Sequence, residues 1–173
     1  HDIAILEELL EIVAPIDAEE DDKLQELRRL LQTEALQGGK RLIFTQFADT
    51  ARYLYNNLRD LDPTLEVIYS GDRDPVSVAA RFAPQSNPER AQVAVGQEIN
   101  LLVATDVLSE GLNLQDCDRI INYDLHWNPV RLIQRLGRID RIGSAYDEIH
   151  AWNFFPETAL EKNLALTARL QAR

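Results

Sequence analysis

INLLVATDVLSEGLNLQ (residues 99–115) joins a continuous apolar run to a polar turn that contains a glycine. An apolar run of this length is typical of a strand that helices cover on both faces. The polar residues that follow it lie at the carboxyl end of the strand, which is where open α/β sheets bind their ligands. The candidate binding residues are Thr105, Asp106, Ser109, Glu110, Gly111 and Asn113. By spacing alone, a turn that only caps its neighbouring elements would look similar.

Short apolar runs alternate with helical patterns along the rest of the chain. Strands are predicted at 41–47, 65–69, 99–105, 119–124 and 148–155, and helices at 3–13, 23–36, 49–61, 75–82, from Pro129 onward and at 159–171. This alternation indicates an α/β fold with a doubly wound, mostly parallel sheet. We divide the chain into a helical N-terminal extension (1–38), an α/β domain (39–157) and a C-terminal helix (158–173).

The local sequence also predicts how some helices begin and end. Asp74 is expected to cap the helix that Pro75 opens. Gly38 and Gly39 are expected to stop the second helix.

The charge of the chain is distributed unevenly. The formal net charge is −11 at pH 7, and residues 1–39 contain eleven of the 29 acidic residues but only three of the 18 basic ones. A net charge of this sign does not favour nucleic acid as a partner. The single cysteine, Cys117, excludes an internal disulfide, and no apolar run reaches the roughly 20 residues that cross a bilayer. We therefore expect a cytoplasmic protein without membrane contact.

A second stretch, NPVRLIQRLGRIDRIGS (residues 128–144), is strongly basic. Its arginines are Arg131, Arg135, Arg138 and Arg141, and the spacing of the first three places them near one face of a helix. Arginine is suited to bidentate recognition of phosphate. The alternative is a solvated basic helix face whose opposite side buries Leu132, Ile133 and Leu136.

Taken together, these stretches resemble a known family. ATDVLSEGLNLQ (104–115) and NPVRLIQRLGRIDRIGS resemble motifs V and VI of superfamily 2 helicases in their SWI/SNF-like branch, and KRLIFTQFADTARYL (40–54) is similar to motif IV. The resemblance covers roughly residues 40–155. It implies a RecA-like three-layer domain that is the C-terminal lobe of an ATP-dependent DNA translocase or helicase-like protein. The short motif V and the absence of long insertions favour a bacterial source.

The resemblance also implies roles for individual residues. Arg138 and Arg141 would be the catalytic arginines that reach the phosphates of ATP across the cleft between two lobes. Gln134, Glu110, Gly111 and Asn113 would line the nucleotide, and Thr105 would touch the nucleic-acid backbone. Arg135 would brace the lobe by pairing with a carboxylate.

Two features of such motors are missing from the chain. Gly39-Lys40 is the only Gly-Lys pair, but it lacks both the earlier glycine and the following Ser or Thr of a phosphate-binding loop. Asp147-Glu148-Ile149-His150 spells an acidic Mg²⁺-binding tetrad, but it follows motif VI instead of preceding it. We therefore expect no metal ligands in this chain and no ATP hydrolysis by it alone.

The expected cofactors and partners follow from this gap. ATP and Mg²⁺ would bind only when an N-terminal RecA-like lobe of the same protein is also present. Double-stranded DNA would be the nucleic acid along which the protein moves. Two other functions stay open, which are a non-catalytic nucleic-acid or protein-binding adaptor and a lobe of an RNA helicase.

Overall fold

The computed structural model describes residues 2–13, 17–69, 74–91, 97–106, 112–126, 128–141 and 144–155. By its internal contacts the chain divides into two compact units, His1–Gln37 and Gly38–Arg173. Within the described ranges, no helix is long and apolar enough to cross a membrane. The predicted C-terminal helix lies outside the described residues.

The described residues of the N-terminal unit form two α-helices and one short 3₁₀ turn. Helix α1 spans Asp2–Val13, helix α2 spans Asp22–Leu31, and the 3₁₀ turn spans Glu34–Leu36. The side chain of Asp21 caps α2 by accepting from the backbone N–H of Leu24 at 3.0 Å. We predicted that the second helix would run to residue 36, but it ends five residues earlier.

The early end of α2 has a local cause. The hydroxyl of Thr33 donates to the carbonyl of Leu30 at 2.7 Å, and the backbone of Thr33 is extended (φ −69°, ψ 151°). A threonine that bonds its own helix end in this way offers the backbone an alternative to another helical turn.

The second unit is built on a five-stranded sheet in which every pair of neighbouring strands is parallel. Its strands are β1 (Arg41–Thr45), β2 (Glu66–Ile68), β3 (Leu101–Thr105), β4 (Arg119–Asn122) and β5 (His150–Asn153). Their spatial order is β2-β3-β1-β4-β5. The predicted α/β class and parallel sheet are therefore confirmed, with each strand two to four residues shorter than its apolar run.

Helices connect most of these strands. They are α3 (Ala48–Leu58), α4 (Pro75–Phe82), α5 (Pro88–Ala91) and α6 (Pro129–Leu136). The carboxylate of Asp74 accepts from the backbone N–H of Ser77 at 2.9 Å, so the predicted cap and the Pro75 start of α4 are confirmed. Helix α3 buries Ala51, Leu54 and Leu58, at the three- and four-residue spacing of one helix face.

The sheet is covered on both faces, which makes three layers. One face carries Leu42, Phe44, Leu102, Ala104 and Ile120, which share a buried cluster with Ala79 and Phe82 of α4 and with Ile139 after α6. The register pairs Leu42 with both Leu102 and Ile120, so these side chains form one row. Helix α3 contacts β1, β2 and β3, so its buried stripe lies on the other face.

Gly38 and Gly39 precede β1, and both have left-handed backbone conformations, with φ of +68° and +76°. Glycine enters this region without the steric penalty that a Cβ introduces. A Cβ at Gly38 would meet no atom within 4 Å, so the backbone conformation alone sets the cost of substitution there.

We predict that Gly38→Ala lowers the free energy of unfolding by about 1 kcal/mol, because alanine resists a positive φ. Gly38→Asn should cost less, since asparagine tolerates this region better than alanine does. Urea unfolding of the three proteins measures the difference. An alanine variant as stable as the parent would contradict the conformational explanation.

Candidate functional site

The carboxyl ends of β1, β3 and β4 meet at one edge of the sheet. Thr45 and Thr105 end their strands directly opposite each other in the register. Beyond β4, the carboxylate of Asp124 accepts from the hydroxyl of Thr45 and from the backbone N–H of Gln46, the latter at 3.3 Å. The side-chain amide of Gln46 donates to the carbonyl of Leu125 at 3.0 Å. These bonds join the segment after β4 to the end of β1.

Arg135 of α6 is the most densely bonded side chain at this edge. Its Nε donates to Oδ1 of Asp106 at 2.6 Å, and its Nη2 donates to Oδ2 at 3.1 Å. Its Nη1 donates to Oδ1 of Asn122 at 3.1 Å and to the backbone carbonyl of Asp124 at 2.9 Å. The guanidinium also stacks over the ring of Phe44, 5.1 Å from its centroid. Arg135 is 3% exposed, so these bonds replace water almost completely.

This arrangement confirms the expectation that Arg135 braces the lobe through a carboxylate. Asp106 directly follows β3, Phe44 lies in β1, and Asn122 ends β4. One guanidinium therefore ties α6 to three neighbouring strands. Four of its five N–H donors are bonded to protein groups, which leaves it little capacity to bind a ligand.

Arg141 and Asn113, which were predicted from different motifs, are bonded to each other. Nη1 of Arg141 donates to Oδ1 of Asn113 at 2.8 Å, and Nε donates to the carbonyl of Gly137 at 3.1 Å. Arg141 is exposed. The backbone N–H of Leu114 donates to the carbonyl of Arg138 at 3.3 Å, so the end of motif V runs beside the turn after α6.

Gln134 and Arg138 line a depression at the same edge. Its other lining residues are Phe44, Asp106, Arg131 and Arg135. Gln134 and Arg131 are exposed, and Arg138 is half-buried. The depression therefore combines cationic and amide side chains above the buried Arg135–Asp106 pair. Glu110 and Gly111, the other two predicted nucleotide-binding residues, lie outside the described residues.

The burial of helix α6 differs from that of a solvated basic helix, which would bury Leu132, Ile133 and Leu136. Ile133 is 64% exposed and Val130 is 38% exposed, whereas Leu136 packs partly against the core. The prediction that Ile133 would be buried in that alternative is wrong. Arg135 occupies the inward position because its network compensates its burial.

Thr105 is buried at the end of β3. Its side chain is 5% exposed, and its hydroxyl has no hydrogen-bond partner among the described residues. The hydroxyl of Thr45, its neighbour in the register, is bonded to Asp124. Contact of Thr105 with nucleic acid stays a prediction, and it would require this hydroxyl to be uncovered.

The acidic tetrad at 147–150 lies away from this edge. Asp147 and Glu148 are exposed, and His150 begins β5. In the part of the chain that the structure describes, no three His, Cys, Asp or Glu side chains are grouped as metal ligands.

Sequence reasoning missed several residues that build the site. Asn122, Asp124 and Gln46 were not singled out, although each ends or follows a strand of the structure at the carboxyl edge. Polar residues at the ends of central parallel strands are the signal that would have found them. No pattern in the sequence shows that Phe44 would lie under a guanidinium.

Comparisons with known proteins agree with this geometry. The family model described as helicase conserved C-terminal domain matches residues 22–143. The uncharacterized ATP-dependent helicase YqhH of Bacillus subtilis is 46% identical over 67 residues, which are 39% of this chain and 12% of that protein. The ATP-dependent DNA helicase fml1 of Schizosaccharomyces pombe is 27% identical over 128 residues, which are 72% of this chain and 15% of that protein.

An RNA helicase and a solved ATPase domain are also similar. The ATP-dependent RNA helicase DBP8 of Pyricularia oryzae is 32% identical over 146 residues, which are 83% of this chain and 23% of that protein. The crystal structure of the C-terminal part of the Fun30 ATPase domain has a TM-score of 0.65 at 19% identity, covering 86% of this chain and 44% of that one. That likeness shows a shared fold. The chain spans less than a quarter of the length of each of these three curated relatives.

We predict that Arg135→Ala lowers the free energy of unfolding by about 3 kcal/mol, because it leaves the Asp106 carboxylate without its buried partner. Arg131→Ala, on the exposed side of the same helix, should change it by less than about 0.5 kcal/mol. Urea unfolding measures both. Equal stabilities of the two variants would contradict the bracing role of Arg135.

We predict opposite outcomes for Thr105→Val and Thr45→Val, although both hydroxyls are buried on paired strands. Thr105→Val removes an unpaired hydroxyl, so the free energy of unfolding should stay constant or rise by up to about 1 kcal/mol. Thr45→Val removes a donor to Asp124 and should lower it by about 1 kcal/mol. Thermal unfolding at pH 7 tests the pair, and a loss of stability in Thr105→Val would show that its hydroxyl is satisfied.

Proposed function

The chain belongs to the helicase conserved C-terminal domain family, and from this premise we propose that it is the second motor lobe of an ATP-dependent DNA translocase or helicase-like protein. In this proposal ATP binds between this lobe and an N-terminal RecA-like lobe of the same protein. The partner lobe supplies the phosphate-binding loop and the Mg²⁺ ligands. This lobe supplies arginines.

The observation that carries the proposal is the contrast between Arg135 and Arg141. Arg135 spends four of its five N–H donors inside the lobe. Arg141 is exposed and is oriented by Asn113. An exposed guanidinium that a neighbouring side chain orients is suited to binding a phosphate.

The chemistry proposed for Arg138 and Arg141 is electrostatic. During phosphoryl transfer, negative charge builds on the oxygens around the γ-phosphorus, and a guanidinium stabilises that charge more than it stabilises bound ATP. Such an arginine raises turnover by about 10³–10⁵ in GTPases. Closure of the lobes would bring the arginines to the phosphates, and opening after hydrolysis would release the products.

The comparisons support two candidates for the nucleic acid along which the motor moves. The similarity to the DNA helicase fml1 supports a DNA motor. The similarity to the RNA helicase DBP8 extends over more of the chain, so an RNA helicase is the second candidate. We favour duplex DNA because motifs V and VI have the form SEGLNLQ and NPVRLIQRLGRIDRIGS. The bacterial source and cytoplasmic location stay predictions.

We predict that Arg138→Ala and Arg141→Ala, made in the two-lobe protein that contains this chain, lower the turnover number for ATP by at least about 10³-fold. The dissociation constant for ATP should change much less, because the arginines act mainly on the transition state. Steady-state ATPase assays and nucleotide-binding titrations measure the two quantities.

The same ATPase assay is repeated with duplex DNA, single-stranded DNA and RNA. The nucleic acid that stimulates turnover is the one along which the motor moves. Gln134→Ala serves as a graded comparison at the same depression. Normal turnover in both arginine variants would remove the motor assignment and leave a binding module.

A further inference from the structure

His126 lies between β4 and the helix that carries the arginines. It is half-buried, and its Nδ1 accepts a hydrogen bond from the backbone N–H of Asn128 at 3.0 Å. A side chain that accepts from the backbone two residues later makes the same closed turn as an Asx turn. The imidazole therefore fixes the backbone direction at the point where the chain enters α6.

Asn128 passes that restraint to the helix. It is the N-cap of α6, and its Oδ1 accepts from the backbone N–H of Val130 at 3.0 Å. Its carbonyl accepts from the backbone N–H of Arg131 at 3.1 Å. Pro129 occupies the first turn, where its fixed φ favours helix initiation. The position of His126 is thus coupled to the start of the first helical turn.

The bond defines the protonation state of the ring. Nδ1 is the acceptor, so the imidazole is neutral with its proton on Nε2. Burial lowers the pKa of His126 from its ordinary value, and the nearby cations Arg131 and Arg135 of α6 lower it further. Asp106 at the end of β3 acts in the opposite direction without reversing the shift. Asp124 is the other acid in the same segment.

We propose that His126 is a positioning residue for the arginine helix: its neutral imidazole holds the N-terminus of α6 in register with the carboxyl edge of the sheet, and its protonation releases that restraint. The proposal rests on the function proposed above, because the helix it positions carries Gln134 and leads to Arg138 and Arg141. His126 itself touches no nucleotide in this role.

The direction of the pH effect follows from the lowered pKa. Protonation at Nδ1 turns the acceptor into a donor that faces another donor, so the bond to Asn128 breaks. A histidine with a depressed pKa in the folded state contributes stability that is present above its unfolded pKa of about 6.5. That contribution is lost as the pH falls through the folded value. The restraint on α6 is complete at pH 7.5 and weakens on acidification.

The first test follows the imidazole in the 173-residue chain, which contains only three histidines. We expect the NMR shifts of the His126 ring to titrate below the ordinary pKa of a histidine, with the proton on Nε2 at pH 7.5. The backbone amide resonances of Asn128 and Val130 should move with the same midpoint. Amides that do not follow the ring, or a ring protonated on Nδ1 at pH 7.5, would overturn the proposal whatever the ATPase assays give.

The second test measures turnover in the two-lobe protein. His126→Phe keeps the ring but removes the acceptor, and we expect the turnover number to fall by about tenfold through misplacement of the arginines. His126→Asn places its Oδ1 where Nδ1 of the imidazole stood, so the turnover number should return to most of the parent value. We expect the turnover number of the parent to fall between pH 7.5 and 5.5, and this fall should be absent in His126→Asn because asparagine does not titrate. His150→Asn, on the exposed strand β5, is the matched control and should match the parent at every pH.

The two proposals fail in different ways. Normal turnover in Arg138→Ala and Arg141→Ala would contradict the proposed motor function. The NMR titration would still test the hydrogen bond between His126 and Asn128. Parent-like activity of His126→Phe, in a protein whose arginine variants are inactive, removes the positioning role alone. Loss of activity in His126→Asn equal to that in His126→Phe also contradicts it.

Discussion

The burial of one guanidinium is the constraint on which the site depends. Moving a charged group out of water costs several kcal/mol unless partners replace its hydration. Arg135 meets that requirement with both oxygens of Asp106, with Asn122 and with a backbone carbonyl. Those partners lie on or just after β3 and β4, and the ring of Phe44 in β1 closes the remaining face. The network is satisfied only when three strands and α6 have one relative arrangement.

This constraint separates the arginines of one short stretch into two groups. Arg135 is the last polar residue on the inward side of α6, which ends at Leu136 with Gly137 as its C-cap. Arg138 and Arg141 come after the helix, so their position depends on the turn and not on helical spacing. Asn113 holds Arg141, and the backbone of Leu114 holds that of Arg138. Arginines that are regularly spaced in the sequence therefore lie in two different structural environments.

The sequence predicted the fold and the location of the site better than it predicted the state of each side chain. The continuous apolar run at 99–105 predicted a strand covered on both faces, and β3 is buried throughout. The brace formed by Arg135 was foreseen from a family resemblance. The burial of Thr105 and the exposure of Ile133 were not, because both depend on which groups neighbouring strands bring to the edge. Long-range partners such as Asp124, 79 residues from Thr45, leave no local pattern.

The two motifs form one mechanical unit because they share a core as well as polar bonds. Leu112 and Leu114 lie in the same buried cluster as Ile139, which directly follows Arg138. A displacement of residues 112–114 would have to open close-packed contacts and break the bond between Leu114 and Arg138. Cores resist continuous deformation, so these segments are expected to move together with the sheet. In the proposed function, these protein contacts would hold Asn113 and Arg141 in place before a nucleotide binds, which would lower the cost of ordering them.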